Sequence, residues 1–280
     1  MTTLNPIAVE ELVRRALLED IGPGDITTEA TIPEETTCTA VMLAKSDGVI
    51  CGHPVARATF RVMDPSLTYE ILVPEGAEVT AGTEIARISG NARSVLTAER
   101  VALNFIQRMS GIATVTHRLA ESIKYYHGRL VETRKTTPGL RLIEKYAVRV
   151  GGGLNHRYGL HDAILIKDNH IAVAGGVRQA VVAARKVASH TAKVEVEVES
   201  LEQLQEALEV GADIIMLDNM DPETMRKAVE MTAGRATLEA SGGISADNLV
   251  EVAKTGVDII SMGALTHSVK SLDISLDIVM

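Results

Sequence analysis

The sequence predicts an α/β protein whose second half winds parallel strands into a barrel. Three observations carry that expectation. Six short apolar segments alternate with helical stretches: Arg129–Thr133, Ala163–Lys167, Lys193–Val198, Ile214–Leu217, Thr237–Ala240 and Ile259–Met262. From Lys193 onward their starts lie about 20–24 residues apart, the spacing of strand–helix units in a parallel sheet, and six or seven units imply closure into a barrel. With two Phe, five Tyr and no Trp, the core must be built from Val, Ile, Leu, Ala and Met, the residues of strands buried on both faces. Each segment also ends in a polar or glycine group, and in a parallel barrel those ends share one face.

In chain order, the first half is of mixed character. Pro6 to Glu19 reads as an amphipathic helix, closed by the turn residues Asp20 to Asp25. Cys38–Ala44, Gly48–Cys51 and Leu67–Val73 alternate as strands, with a helix over Ala56–Met63 between them. Pro74 to Gly82 and Ile85 to Ile88 read as two short strands around glycine turns. They resemble the hammerhead of biotin- and lipoyl-carrier domains in architecture only, since no Lys sits at the turn. Two helices follow, Val95–Met109 and Ile112–Tyr126. Arg100 and Arg108 project from the first, as ordinary solvated charges on the pattern alone. The helices of the second half are Leu201–Val210 with Ser200 as N-cap, Pro222–Met231 behind Asp221, and Asp247–Thr255 ended by Gly256.

Charge excludes several function classes. A net charge of −9 and a pI near 5.4 argue against a reader of phosphate backbones, and the scarcity of aromatics against base stacking. Two cysteines, Cys38 and Cys51, form neither a disulfide scaffold nor a CxxC metal pair. The first twenty residues lack the basic-then-apolar order of a signal peptide, and no apolar run reaches about 18–20 residues, so the expected location is the cytoplasm.

Against that acidic background, residues 129–170 carry eight Lys/Arg and four Asp/Glu. The strand ends deliver Arg134 and Lys135, Lys167 and Asp168, Glu197 and Glu199, Asp218 and Asn219, Ser241-Gly242-Gly243, and Gly263. In Lys193-Val-Glu-Val-Glu-Val-Glu199 the valines take one face and Glu195, Glu197 and Glu199 the other. With the valines against helices, the carboxylates enter the lumen and need cations, either Lys135, Lys167 or a metal. A solvated edge strand would show the same alternation, but the repeat on both sides argues against an edge.

The rim thus offers a basic sector (Arg134, Lys135, His156, Arg157, Lys167), an acidic sector (Glu197, Asp218) and glycine turns suited to phosphate. These match a ligand with carboxylates, a phosphate, and a Mg²⁺-bridged diphosphate or a sugar diol. A tight zinc site is not expected, because His156 and His161 lack ligand spacing. A Schiff-base lysine at Lys135 or Lys167 stays open, although an aldolase needs fewer cations.

Glu132-Thr-Arg-Lys-Thr-Thr-Pro-Gly-Leu-Arg141, Gly151-Gly-Gly-Leu-Asn-His-Arg157, Asp162-Ala-Ile-Leu-Ile-Lys-Asp-Asn-His170, Met216-Leu-Asp-Asn219, Glu239-Ala-Ser-Gly-Gly-Ile244 and Glu99-Arg-Val-Ala-Leu-Asn104 together resemble the quinolinate phosphoribosyltransferase family, also called the carboxylating nicotinate-nucleotide pyrophosphorylases of de novo NAD synthesis. The resemblance implies an N-terminal α/β sandwich domain over 1–111 and an incomplete TIM-like α/β barrel over 112–280, the C-terminal tail packing back on the first domain. It implies conversion of quinolinate and phosphoribosyl pyrophosphate to nicotinate mononucleotide, pyrophosphate and CO₂ with Mg²⁺, in a homodimer that shares its active sites.

By matching positions, the resemblance assigns Thr133, Arg134, Lys135, His156, Arg157 and Lys167 to the ring carboxylates and pyrophosphate, and Arg100 to the neighbouring subunit's quinolinate. Glu197 and Asp218 would hold the ribose and Mg²⁺. Ser241, Gly242, Gly243, Met262, Gly263 and Ala264 would hold the 5′-phosphate, with His267 near the phosphates. Lys135, Glu197 and Asp218 are the expected catalytic groups. Lys45 is a weaker candidate for crossing the interface, and residues 136–153, with Pro138 and several glycines, are a candidate lid. The alternatives are a paralogous barrel protein associated with molybdenum uptake and a non-enzymatic phosphosugar-binding barrel.

Overall fold

The computed structural model describes residues 3–279. In chain order the elements are α1 (Pro6–Ile21), α2 (Ile26–Thr31), β1 (Thr37–Ala44), β2 (Gly48–Val49), α3 (His53–Met63), β3 (Thr68–Ile71), β4 (Glu78–Val79), β5 (Glu84–Asn91) and α4 (Ala92–Ser122). There follow β6 (Arg129–Val131), α5 (Arg141–Val150), β7 (Ile164–Ile166), α6 (Asp168–Ala174), α7 (Val177–Val187), β8 (Val194–Val198), α8 (Leu201–Glu209) and β9 (Ile214–Asp218). The chain closes with α9 (Pro222–Thr232), β10 (Thr237–Ser241), α10 (Leu249–Ala253), β11 (Ile259–Ser261), α11 (Ala264–His267) and β12 (Ile274–Val279).

Contacts divide the chain into two compact units. Among the described residues, one holds 3–117, 137–152 and 268–279; the other holds 118–136 and 153–267. The first is built on a four-stranded antiparallel sheet in the order β12-β1-β5-β3, with β2 and β4 paired separately. Its core lies between that sheet and the helices, where Met42, Ile85 and Ile88 meet Phe60 of α3 and Val95, Leu103 and Ile106 of α4, all almost fully buried. Burial of this apolar surface stabilises the unit at roughly 25 cal/mol per Å².

Local chemistry accounts for where its helices begin. Asn5 caps α1 by accepting the Ile7 N–H, with Pro6 in the first turn. Asp25, expected as a turn residue, instead caps the unanticipated α2 by accepting from the N–H and hydroxyl of Thr28 at 3.0 and 2.6 Å. Helix α3 starts at His53, three residues before the expected Ala56, because Glu75 accepts the N–H groups of Gly52 and His53 at 2.8 and 3.0 Å. This carboxylate replaces the cap that Gly52 lacks.

Two expectations are corrected. The helices expected over 95–109 and 112–126 are one helix, α4, of 31 residues. Gly111 is not a break: a side chain there would collide with the backbone of Lys270 and Ser271, so the glycine makes room for the C-terminal segment. Residues 136–153, the candidate lid, are not a bare loop either. They contain α5, whose Ile143, Ala147 and Val148 are buried. Glu144, fully buried, accepts from Arg108 at 2.8 and 3.1 Å and from the Thr137 N–H at 3.0 Å. Arg108 is therefore a structural ion-pair partner rather than a solvated charge.

The second unit is a six-stranded, all-parallel sheet in the order β6-β11-β10-β9-β8-β7. The first strand of the series pairs with the last, and β6 and β7 are left as the two edges. The result is the incomplete barrel that the family resemblance implies rather than the closed one that the strand spacing suggests. Its strands are lined with buried Val194, Val196, Val198, Ile215 and Leu217, and helices such as α8 and α9 start on Ser200 and Asp221 caps, as expected.

Replacement of Gly111 by Ala separates two effects. Helix propensity alone would stabilise the protein by about 1 kcal/mol, whereas the collision predicts a net loss of roughly 1–3 kcal/mol. Urea unfolding is expected to show a lowered midpoint with the slope unchanged.

Candidate active site

All six parallel strands send residues to one cavity of about 570 Å³ at their carboxyl ends. Arg134 and Lys135 follow β6, Lys167 follows β7, Glu197 lies on β8, Asp218 ends β9, and Ser241-Gly242-Gly243 close β10. Both edge strands line the same space, so the sheet is strongly curved. The carboxyl ends are where side chains and backbone amides of a parallel barrel converge.

The acids of β8 behave as its alternation requires. Glu195 and Glu197 are buried, at 3% and 8% exposure, whereas Glu199 is solvent-exposed. Glu197 pairs with Lys167 at 3.1 Å. Glu195 finds a different cation: the Nε2 of His156 lies 3.5 Å from it and 3.4 Å from Glu239 on β10. Burial alone would make His156 release its proton more readily, but the hydrogen bonds and charges of Glu195 and Glu239 push its proton affinity up to about 10. Glu195 is itself raised, by burial first and the Glu239 charge in addition, against the lowering pull of His156.

Glu132, completely buried, accepts from Asn155 Nδ2 at 2.9 Å and from the His156 N–H at 3.2 Å, which ties the His156–Arg157 loop to the end of β6. The Arg157 guanidinium donates to the Ala163 carbonyl at 3.2 Å. Burial and the charge of Arg134 lower its proton affinity, while Glu195 and Asp162 oppose that shift. Thus two guanidiniums share the basic sector with acids behind them.

On the opposite rim, Asn219 takes a left-handed conformation, φ 53°, and Gly242 and Gly243 have φ of 84° and 61°. The Asn219 N–H donates to the Ser241 carbonyl at 2.9 Å and its side-chain amide to Asp218 at 2.7 Å. A Cβ on Gly242 would collide with the Asn219 side chain and lie 2.8 Å from its backbone nitrogen. The turn therefore needs glycine both for its dihedral and for space.

Of the other expected residues, Gly263 and His267 adjoin Lys135: a Cβ on Gly263 would lie 3.0 Å from Lys135 Cδ and 3.1 Å from His267 Nε2. The Thr266 hydroxyl donates to the Lys135 carbonyl at 2.8 Å, fixing this corner. Met262 is buried and its N–H donates to Val131, which leaves Gly263 and Ala264 at the start of α11 as the nearer backbone. Arg100 lies on α4 in the other unit, exposed beside Glu99 at 3.7 Å. Lys45 follows β1 in that same unit. Asn219, expected at its strand end, lines the cavity; the motif reading missed Glu239 as a lining residue, and it did not foresee that His156 would partner Glu195.

A second cavity of about 490 Å³ lies at the amino ends of β8 to β10. Its acids are engaged structurally: Asp213 accepts the Val194 N–H at 2.8 Å and Asp258 the Leu238 N–H at 2.7 Å. No helix among the described residues is long and apolar enough to cross a membrane.

Fold and mouth together define a parallel-barrel site for a polyanionic small molecule, with cations, acids and a glycine turn on one rim. Residues 25–110 match the model of the quinolinate phosphoribosyl transferase N-terminal domain and residues 112–277 that of its C-terminal domain. A relative from Bacillus subtilis, named a probable carboxylating nicotinate-nucleotide pyrophosphorylase, is 45% identical over 98% of this chain and 95% of its own length. A decarboxylating quinolinate phosphoribosyltransferase of Nicotiana glauca is 44% identical over 96% of this chain and 82% of its own. The solved nicotinate-nucleotide pyrophosphorylase of Francisella tularensis superposes with a TM-score of 0.95 at 44% identity, covering 99% of this chain and 98% of that one. The chain belongs to the quinolinate phosphoribosyltransferase family.

The His156 cluster makes a pH prediction. In the folded state it keeps a proton up to about pH 10, whereas an unfolded histidine releases its own near 6.5. The folded chain thus holds more protons than the unfolded one across that window, so stability falls as pH rises from about 6.5 to about 10. Denaturant unfolding of wild type should show this fall, and a Glu195→Gln/Glu239→Gln double variant should show a flatter profile.

Proposed function

We infer that this chain transfers the phosphoribosyl group of phosphoribosyl pyrophosphate to quinolinate, releasing pyrophosphate and CO₂ and leaving nicotinate mononucleotide. The observation that carries this reading is the single cavity in which Arg134, Lys135, Arg157 and Lys167 face Glu197, Asp218 and the Ser241-Gly242-Gly243 turn. A diacid, a leaving diphosphate and a ribose phosphate need those three sectors side by side. The names of the relatives favour this substrate pair over the molybdenum-associated paralogue.

In the reaction, the ribose C1′–O bond to pyrophosphate breaks and the pyridine nitrogen of quinolinate takes the carbon. Positive charge developing on the ribose is stabilised by Glu197 and Asp218, and negative charge on the leaving group by Lys135 and His267. Such preorganised charge, with positioning of the two substrates, accounts for most of the barrier lowering. The C2 carboxylate then leaves as CO₂, its electron pair drawn toward the ribosylated nitrogen, and C2 takes up a proton. Arg134, Arg157 and Lys167 hold the diacid while this occurs, and the glycine turn with Gly263 and Ala264 receives the 5′-phosphate.

Glu197 and Asp218 supply the hard oxygen donors that Mg²⁺ prefers, on one wall of the cavity. Lys167 and Asn219 already bond those carboxylates, which fits an ion held mainly by substrate phosphates and water. When bound, Mg²⁺ offsets charge on the diphosphate. The exposed Arg100 completes the diacid site of a second copy in a homodimer.

Release of CO₂ from carboxyl-labelled quinolinate is expected only when phosphoribosyl pyrophosphate and Mg²⁺ are both present; release without the sugar diphosphate contradicts the assignment. Lys135→Ala and Arg134→Ala are each expected to lose about 100-fold or more in turnover, with circular dichroism unchanged. Mixing Arg100→Ala protein with Lys135→Ala protein should restore activity through hybrid dimers, and a mixture as inactive as its parts contradicts the shared site.

A further inference from the structure

The chain passes from one compact unit to the other at residues 136–137 and again at 267–268. Lys135 stands one residue short of the end of the first stretch, and His267 is the last residue before the second passage. Both side chains flank Gly263, where an added Cβ would lie 3.0 Å from Lys135 Cδ and 3.0 Å from His267 Cδ2. The two groups assigned to the leaving diphosphate are therefore neighbours, each beside a passage of the chain.

Inside the first unit, one side chain holds both passages. Arg108 on α4 donates from Nε and Nη2 to Glu144 at 3.1 and 2.8 Å and from Nη2 to the Thr137 hydroxyl at 3.4 Å. Its Nη1 donates to the Val269 carbonyl at 3.0 Å. Thr137 is the first residue after its passage and Val269 the second after its own. Glu144 also accepts the Thr137 N–H at 3.0 Å, so this residue is held by main chain and side chain together. Beyond Val269 the chain stays fixed on the same helix. The Leu272 N–H donates to the Gln107 carbonyl at 3.0 Å, and the Gln107 side chain donates to the Ile274 carbonyl at 2.7 Å. The planar fork of a guanidinium serves a carboxylate, a hydroxyl and a carbonyl at once, which a single ammonium does not.

Inside the second unit, the completely buried Thr266 donates its hydroxyl to the Lys135 carbonyl at 2.8 Å. Each hold lies within one unit, and what links them is the covalent chain. Lys135 is two residues from Thr137, and His267 is two residues from Val269. Arg157 has a different anchor. Its backbone follows His156, whose N–H Glu132 accepts at 3.2 Å, and its guanidinium donates to Ala163.

We propose that Arg108 and Thr266 are positioning residues for the leaving group. Arg108 fixes the chain just beyond Lys135 and His267, Thr266 joins the two segments just before the passages, and the long stem of Lys135 thereby starts from a fixed backbone. Its charge then meets pyrophosphate without reorganisation, where preorganised charge contributes most. Arg108 acts through Thr137 and Val269, not on substrate. The role in catalysis rests on the phosphoribosyl-transfer reading of the cavity; the mechanical coupling of the two passages does not.

Two variants test this. Arg108→Lys keeps a positive charge for Glu144 but loses the fork, and Thr266→Val removes one hydroxyl. Each is expected to lower kcat and weaken the binding of inorganic pyrophosphate about 10- to 100-fold, while calorimetry shows quinolinate binding unchanged. The double variant should lose less than the product of the two single losses, because both release the same corner. Hydrogen exchange in Arg108→Lys should quicken over residues 133–137 and 264–270 and stay unchanged over 153–157. A merely structural arginine would weaken both ligands alike. Equal loss of quinolinate binding, pyrophosphate binding as in wild type, or losses that multiply would overturn the proposal. If Arg108→Lys fails to fold, Thr266→Val decides by the same contrast between the two ligands. If wild type neither binds quinolinate nor turns over, the substrate reading has failed, and the exchange pattern alone decides whether the passages are coupled.

Discussion

Carboxylates on the inner face of a barrel strand cannot remain there alone. The alternation Val194 to Val198 puts Val194, Val196 and Val198 into apolar packing, and with the same stroke buries Glu195 and Glu197. An uncompensated buried charge costs several kcal/mol, so cations must come from other strands. Lys167 arrives from the end of β7 and His156 from the loop after β6, tied in place by Glu132. The mouth is assembled by this demand: acids deep on β8 and β10, cations above them, and a glycine turn across the cavity where backbone can approach a ligand closely.

The consequence for chemistry is that opposite charges are held near one another without cancelling. Glu197 meets Lys167 through a side chain that remains half exposed, whereas Glu195 and Glu239 sit behind the His156 ring. Guanidiniums and ammonium groups therefore stay available at the mouth, fixed by contacts made before any ligand enters. A reaction that separates a cationic ribose from an anionic diphosphate gains most from groups that need no rearrangement when charge develops.

Much of this was legible in the sequence. The strand spacing, the polar residue at each strand end and the alternating glutamates located Arg134, Lys135, Lys167, Glu197, Asp218 and the glycine turn, because each is a local pattern tied to a strand terminus. Arg157, in the loop before β7, was legible only through the basic stretch and the Gly151–Arg157 motif. What escaped were features set by distant partners. Glu239 sits mid-strand in Thr237–Ser241, and its role is visible only once His156, far away in sequence, is beside it. Gly111 reads as punctuation, yet the helix continues through it because the backbone near Lys270 needs the space. Residues 136–153 look loop-like through Pro138 and the glycines, but Glu144 and Arg108 anchor a helix there.

The most direct measurement is a crystal structure of the protein with quinolinate bound. The account predicts the two carboxylates against Arg134, Arg157 and Lys167, the ring nitrogen turned toward the space beside Glu197 and Asp218, and His156 still bonded to Arg157 and Glu239. Quinolinate seated instead among Lys193, Asp213 and Asp258 at the amino ends of the strands, with the carboxyl-end cavity empty, would contradict it.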